Sequence, residues 1–183
     1  MHILRSATRL PGVPAQLAGP APLRRLAIYL DDHLAGATAG LALARRAARN
    51  NREHPVGVQL RRLVDELEYD RSVLLSLRRS LGLASPLKRI GALGMERVAR
   101  LKPNGQLVGY SPLSRLEELE GLCAGIDGKL ALWHALAAAR AAHPALAELD
   151  TEALSARAER QRSGLEPARR EAARAAFADA STG

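Results

Sequence analysis

Apolar side chains recur every three or four residues through four separate stretches of this chain, the period of amphipathic helices and not of strands. In residues 23–50 the small and apolar positions are Leu26, Leu30, Leu34 with His33 beside it, Ala37, Gly40 and Leu41, Ala44 and Ala48. Asn50, Asn51 and the His54-Pro55 pair then mark a turn, because the residue before proline is pushed out of the helical region. A second helix is predicted over residues 56–81, with Leu60, Leu63, Leu67, Leu74, Leu77 and Leu81 forming a heptad seam and Gly82 closing it. A third starts at Ser111-Pro112, a serine N-cap followed by proline at the first helical position, and is expected to reach about residue 142. Its seam is Leu116, Leu119, Cys123, Ile126, Leu130, Trp133 and Ala137. The fourth, over residues 150–178, opens on Asp150 or Thr151 and carries a thin face of Leu154, Ala158, Gln161, Leu165, Ala168, Ala172 and Ala175. Gly164 and Pro167 are expected to kink it or shift its start.

Between the second and third helices, residues 83–111 hold Pro86, Gly91, Gly94, Pro103, Gly105 and Gly109 around a short amphipathic piece at residues 87–101. The predicted order is therefore short turn, long crossover, short turn. That is the connectivity of ferritin-like bundles, whereas simple up-down bundles use short loops throughout. The fold expected is all-α, a ferritin-like four-helix bundle with a long crossover between helices two and three. It occupies residues 23–178, with a flexible proline-rich arm at 1–22 and a disordered tail at 179–183.

Composition narrows what such a bundle does. The chain has 183 residues and is 47% hydrophobic, enough for one core in one domain. A single Cys123 excludes an internal disulfide and a cysteine-rich zinc site. No apolar run approaches the ~20 residues of a membrane span. A cytoplasmic location is expected. The net charge of +8 is carried almost wholly by arginine, in pairs at helix ends and outer faces, and only 3% of residues are aromatic. Surface charge of that kind differs from the basic stripe with stacking aromatics of a nucleic-acid module, so nucleic acid is the weakest of the partners considered. The thin fourth helix suggests burial in a homodimer; a protein partner is not identified by the sequence.

The chemistry lies in the few polar residues aimed inward. Asp70 falls on the second helix's seam between Leu67 and Leu74, with Glu66 one turn before it. A buried carboxylate is costly unless paired or bound to a metal. His33 lies on or beside the first helix's stripe, Glu120, Asp127 and His134 recur every seven residues along a flank of the third, and Lys129 stands beside its seam. Glu159 or Gln161 is the nearest inward candidate on the fourth.

Residues 29–36, Tyr-Leu-Asp-Asp-His-Leu-Ala-Gly, resemble the ferritin-like superfamily, and more closely a group of bacterial ferritin-like proteins. So do Glu66-Leu-Glu-Tyr-Asp-Arg71, residues 111–120 and Gly128-Lys129-Leu-Ala-Leu-Trp133. The resemblance covers roughly residues 25–178. Dimetal members of that superfamily use a Glu from each of two helices and a Glu-x-x-His from each of the other two. Here no Glu-x-x-His occurs and the fourth helix has no histidine. Two expectations follow. The first is a non-enzymatic structural or interaction module with no cofactor, whose interior holds a metal-free network of His33, Asp70, Arg71, Glu120, Asp127 and Lys129. The alternative is a degenerate oxidase or storage protein holding iron, manganese or zinc on His33, Glu66, Asp70 and Glu120. Cys123 reads as a small buried hydrophobe, and the G-x-x-x-G spacings at Gly36/Gly40 and Gly121/Gly125 as packing sites where helices one and three meet.

Overall fold

In the computed structural model, which describes residues 21–83 and 110–178, the chain is all-α. Among the described residues four long helices carry it: α1 Ala21–Asn50, α2 Val56–Ser80, α3 Pro112–Ala138 and α4 Thr151–Phe177. α1 begins at Ala21, two residues inside the arm expected at 1–22; the rest of that arm, the amphipathic piece expected at 87–101 and the tail at 179–183 lie outside the described residues.

The helix boundaries follow local chemistry. Ser111 caps α3, its side-chain oxygen accepting from the Ser114 amide, with Pro112 at the first helical position. Asp150 does the same for α4 through the Ala153 amide at 2.9 Å. At the end of α2, Gly82 takes φ +68°, and the amides of Gly82 and Leu83 return to the carbonyls of Arg79 and Arg78. This is the paired C-terminal closure that favours glycine. α3 stops at Ala138, short of the expected residue 142. His143 is extended before Pro144, and residues Arg140–Ala142 and Pro144–Leu146 tighten into single 3-10 turns. α4 starts where its cap predicts and continues through Gly164 and Pro167 without interruption.

Cross-helix pairs set the directions. Arg45 with Glu68 and Asp31 with Arg78 make α1 and α2 antiparallel. Arg46 with Glu118 does so for α1 and α3, Glu120 with Arg169 for α3 and α4, and Asp70 with Arg157 for α2 and α4. Hence α2 and α3 run the same way. α3 and α4 pack most extensively, α1 and α2 next, and α2 and α4 meet in few places.

The core is one leucine-rich cluster centred on Trp133, with Leu30, Leu34, Leu60, Leu119, Leu132, Leu136 and Leu165 fully enclosed. The α2 seam is buried at Leu60, Leu63, Leu74 and Leu77 and half-buried at Leu67 and Leu81. α3 is broader than its expected seam. Leu122, Leu132 and Leu136 are buried while Leu130 is half-buried and Ala137 exposed, because α3 packs against both α1 and α4. No described helix is long and apolar enough to cross a membrane.

Candidate functional site

The interior charge centres on α2. Asp70 is only 3% exposed, and its two oxygens accept separate cations: Oδ2 from Lys129 Nζ of α3 at 2.6 Å and Oδ1 from Arg157 Nη1 of α4 at 3.0 Å. The Lys129 ammonium also donates to Gln161 Oε1 of α4, and Gln161 Nε2 donates onward to Glu66 Oε2 at 2.7 Å. Arg157 lies over the Tyr69 ring, 4.3 Å from its centroid, so the cation is held between a carboxylate and an aromatic face. Burial lowers the Lys129 pKa, and the neighbouring Asp70 carboxylate opposes that by favouring the charged form. Five side chains thus tie α2, α3 and α4 together on the side where α2 and α4 touch least.

The network also divides two spaces. On one side Glu66, Arg157 and Gln161 line a groove of about 580 Å³ between α2 and α4. On the other, Asp70 and Lys129 line a cavity of about 290 Å³ between α1, α2 and α3.

The other residues singled out by the sequence are dispersed. His33 lines the cavity beside Asp32 and packs edge-on against Tyr29, with ring centroids 4.5 Å apart. Arg71 lines the same cavity, its Nε donating to Thr38 Oγ1 at 3.3 Å. Glu120 is exposed and pairs with Arg169 at 3.3 Å, and Asp127 is exposed and pairs with Arg162 at 3.4 Å. Of the six residues expected in one network, Asp70 and Lys129 bond to each other, and His33 and Arg71 line the same cavity. Of the four expected around a metal, Glu66 and Asp70 belong to this network and Glu120 lies on another face. Among the described residues no three His, Cys, Asp or Glu side chains gather as a metal site would need. Gln161 is buried as expected, while Glu159 is exposed.

Three features escaped the sequence reading. Arg78 is 2% exposed and pairs with Asp31 at 2.5 Å across α1 and α2, whereas it read as one of the solvated arginine pairs. Burial lowers its pKa, against the opposing effect of Asp31. Arg78 sits four residues after Leu74, and Asp31 four after Ala27. A lone charge at helical spacing inside an apolar stripe was the available signal. Glu118 is the second, buried at the start of α3 among Arg46 Nε at 2.8 Å, Asn50 Nδ2 at 3.1 Å and the Tyr110 hydroxyl at 2.9 Å. Asn51 extends this cluster, donating to Tyr110 Oη at 2.6 Å and accepting from Arg115 Nε at 2.6 Å. Burial, with Glu118 adding to it, pushes the Tyr110 hydroxyl up to about 12. The third is Arg157, whose partner on α2 is 87 residues away and invisible to local spacing.

Cys123 is buried, and that burial raises its thiol pKa, so it is packed as a hydrophobe. The glycines at 36, 40 and 125 do not serve close helix contact. A Cβ built on any of them meets nothing within 4 Å, and they line the cavity instead. On α4, Glu166 holds Arg162, Arg169 and Arg170 within 3.0 Å, and those guanidiniums keep its carboxyl far below the usual range.

No family model, curated protein or solved structure matches this chain.

Proposed function

We propose that the chain is a non-enzymatic, ferritin-like helical module acting as a structural or interaction element, its interior closed by its own charges and not by a metal. The observation that carries the reading is the Lys129 ammonium seated between Asp70 Oδ2 and Gln161 Oε1. A protein-borne cation there neutralises Asp70, the buried acid at the α2, α3 and α4 junction, and Arg157 pairs with its second oxygen. A metal ion at the same carboxylate would meet two protein cations already at contact distance.

The parallel course of α2 and α3 supports the ferritin-like variant. The 25 residues of α2 span about 37 Å at about 1.5 Å each. Successive helices that run the same way over such a length call for the crossover connection of that class in place of a tight turn. The interaction role rests on the surface: the arginine-rich outer face of α4 and the apolar side chains left exposed at Ile28, Val58 and Phe177.

Elemental analysis of protein purified without chelator tests the reading. Iron, manganese and zinc far below one per chain are expected; one equivalent of any of them would overturn it and return His33, Glu66, Asp70 and Glu120 as ligand candidates.

A further inference from the structure

The cavity between α1, α2 and α3 is not needed by the charge network that borders it. Its volume of about 290 Å³ stands at the lower end of the range for small-molecule sites, about 300–1,000 Å³. Gly36 and Gly40 of α1 and Gly125 and Gly128 of α3 line it, and a Cβ at any of the four would meet nothing within 4 Å. Glycine inside a helix is worse than alanine by roughly 0.5–1 kcal/mol. Packing therefore gains nothing from these glycines, and what they leave is the open space.

We propose that this cavity binds a small organic anion: an apolar body bearing one carboxylate, with the carboxylate on Arg71. The guanidinium is half-buried on the wall and makes one hydrogen bond among the described residues, from Nε to Thr38 Oγ1. Its remaining donors form the fork that matches a carboxylate. The other interior charges are already matched, Asp70 by Lys129 and Arg157, and Lys129 by Asp70 and Gln161. Asp32 also lines the cavity but is solvent-exposed, where its opposition to an anion is screened. The ligand's apolar body lies along the glycines, against Leu67 and Leu74 of α2 and Leu132 of α3. This inference is independent of the metal-free reading, since Arg71 is not among the metal-ligand candidates and its hydrogen bond goes to Thr38 and not to Asp70 or Lys129.

Calorimetric titration of the full chain with benzoate and octanoate, beside benzyl alcohol and octanol, tests it. At least one acid is expected to bind with millimolar or better affinity and about tenfold or more tighter than its alcohol, the weight of one hydrogen bond to a charged group. Arg71→Met should bring the acid down to the alcohol's affinity, and Arg71→Lys should recover part of the difference. Gly40→Leu fills the cavity and should abolish binding of both; Gly36→Leu serves the same purpose if that variant does not fold, as judged by circular dichroism. Failure of both acids to bind the unaltered chain would overturn the proposal. So would equal affinity for acid and alcohol, an unchanged affinity in Arg71→Met, or full binding in a folded cavity-filled variant.

Discussion

Asp70 is the buried carboxylate on which two cations from two other helices, Lys129 and Arg157, depend. Replacing it by asparagine leaves Lys129 and Arg157 facing an uncharged group at a site only 3% exposed. Removing one partner of a buried pair costs about 3–5 kcal/mol, and urea denaturation of Asp70→Asn should show a loss of that order. Lys129→Met should cost less, since Arg157 still holds the carboxylate, and Asp70→Leu with Lys129→Leu should recover much of the stability lost in Asp70→Asn. The titration of Lys129 adds a pH signature. Its pKa is lowered from 10.5 by burial, so between the folded value and 10.5 the unfolded chain binds more protons and stability rises with pH. Tyr110 has the opposite sign: raised from 10.0 to about 12, it makes the folded chain hold the extra proton, and stability falls across that interval. Unfolding free energies of the unaltered chain minus Lys129→Met should therefore rise toward pH 10.5, and those of the unaltered chain minus Tyr110→Phe should fall from pH 10 to pH 12. Asp70 and Lys129 were legible as inward residues because each interrupts or flanks a regular seam. Their partners Arg157 and Gln161 belong to a helix more than twenty residues further on, and pairing at that separation depends on how α4 is rotated, which periodicity alone leaves open.

At the scale of the element, caps and turns explain where helices begin and end, and they were the most readable part of the chain. Gly82 at φ +68° is in the left-handed region, where a side chain costs roughly 1–2 kcal/mol; Gly82→Ala should lower stability by about that amount in denaturant titration. Gly57 has a different reason to be glycine. A Cβ there would lie 2.1 Å from the Asn51 carbonyl oxygen, so Gly57→Ala forces the α1–α2 turn to move, whereas Gly40→Ala meets open space and should be neutral or stabilise by up to about 1 kcal/mol. A thermal melt of the two variants separates them, and similar melting points would contradict the contrast. The seam of α2 was legible because that helix buries one stripe, whereas α1, packed against both α2 and α3, also buries Ala35, Ala39, Leu43 and Ala47 off its expected face. α3 was misread in width because a helix enclosed on two sides spreads its leucines beyond a heptad pattern, and the G-x-x-x-G spacings were misread because spacing does not tell a close contact from a hollow.

For the whole molecule, the parallel course of α2 and α3 and the thin contact between α2 and α4 matter most. The side on which those helices diverge is tied by Glu66, Gln161, Lys129, Asp70 and Arg157, so the interior charges do the fastening that leucines do elsewhere. The surface arginines of α4 belong to a different layer, several of them pairing with surface acids of α3 and α4. Surface pairs contribute little each and are screened by salt, so stability should change only slightly between low and moderate salt, a weak dependence measurable by thermal denaturation. The central claim is that a protein cation, Lys129, completes the interior in place of a metal ion. A ligand that binds only the folded state must raise its melting temperature. The direct measurement is thermal unfolding of the full chain in chelator and, separately, in excess ferrous iron, manganese or zinc: one unchanged melting temperature in all four is the result predicted, and a concentration-dependent rise with any of the metals is the result that would contradict it.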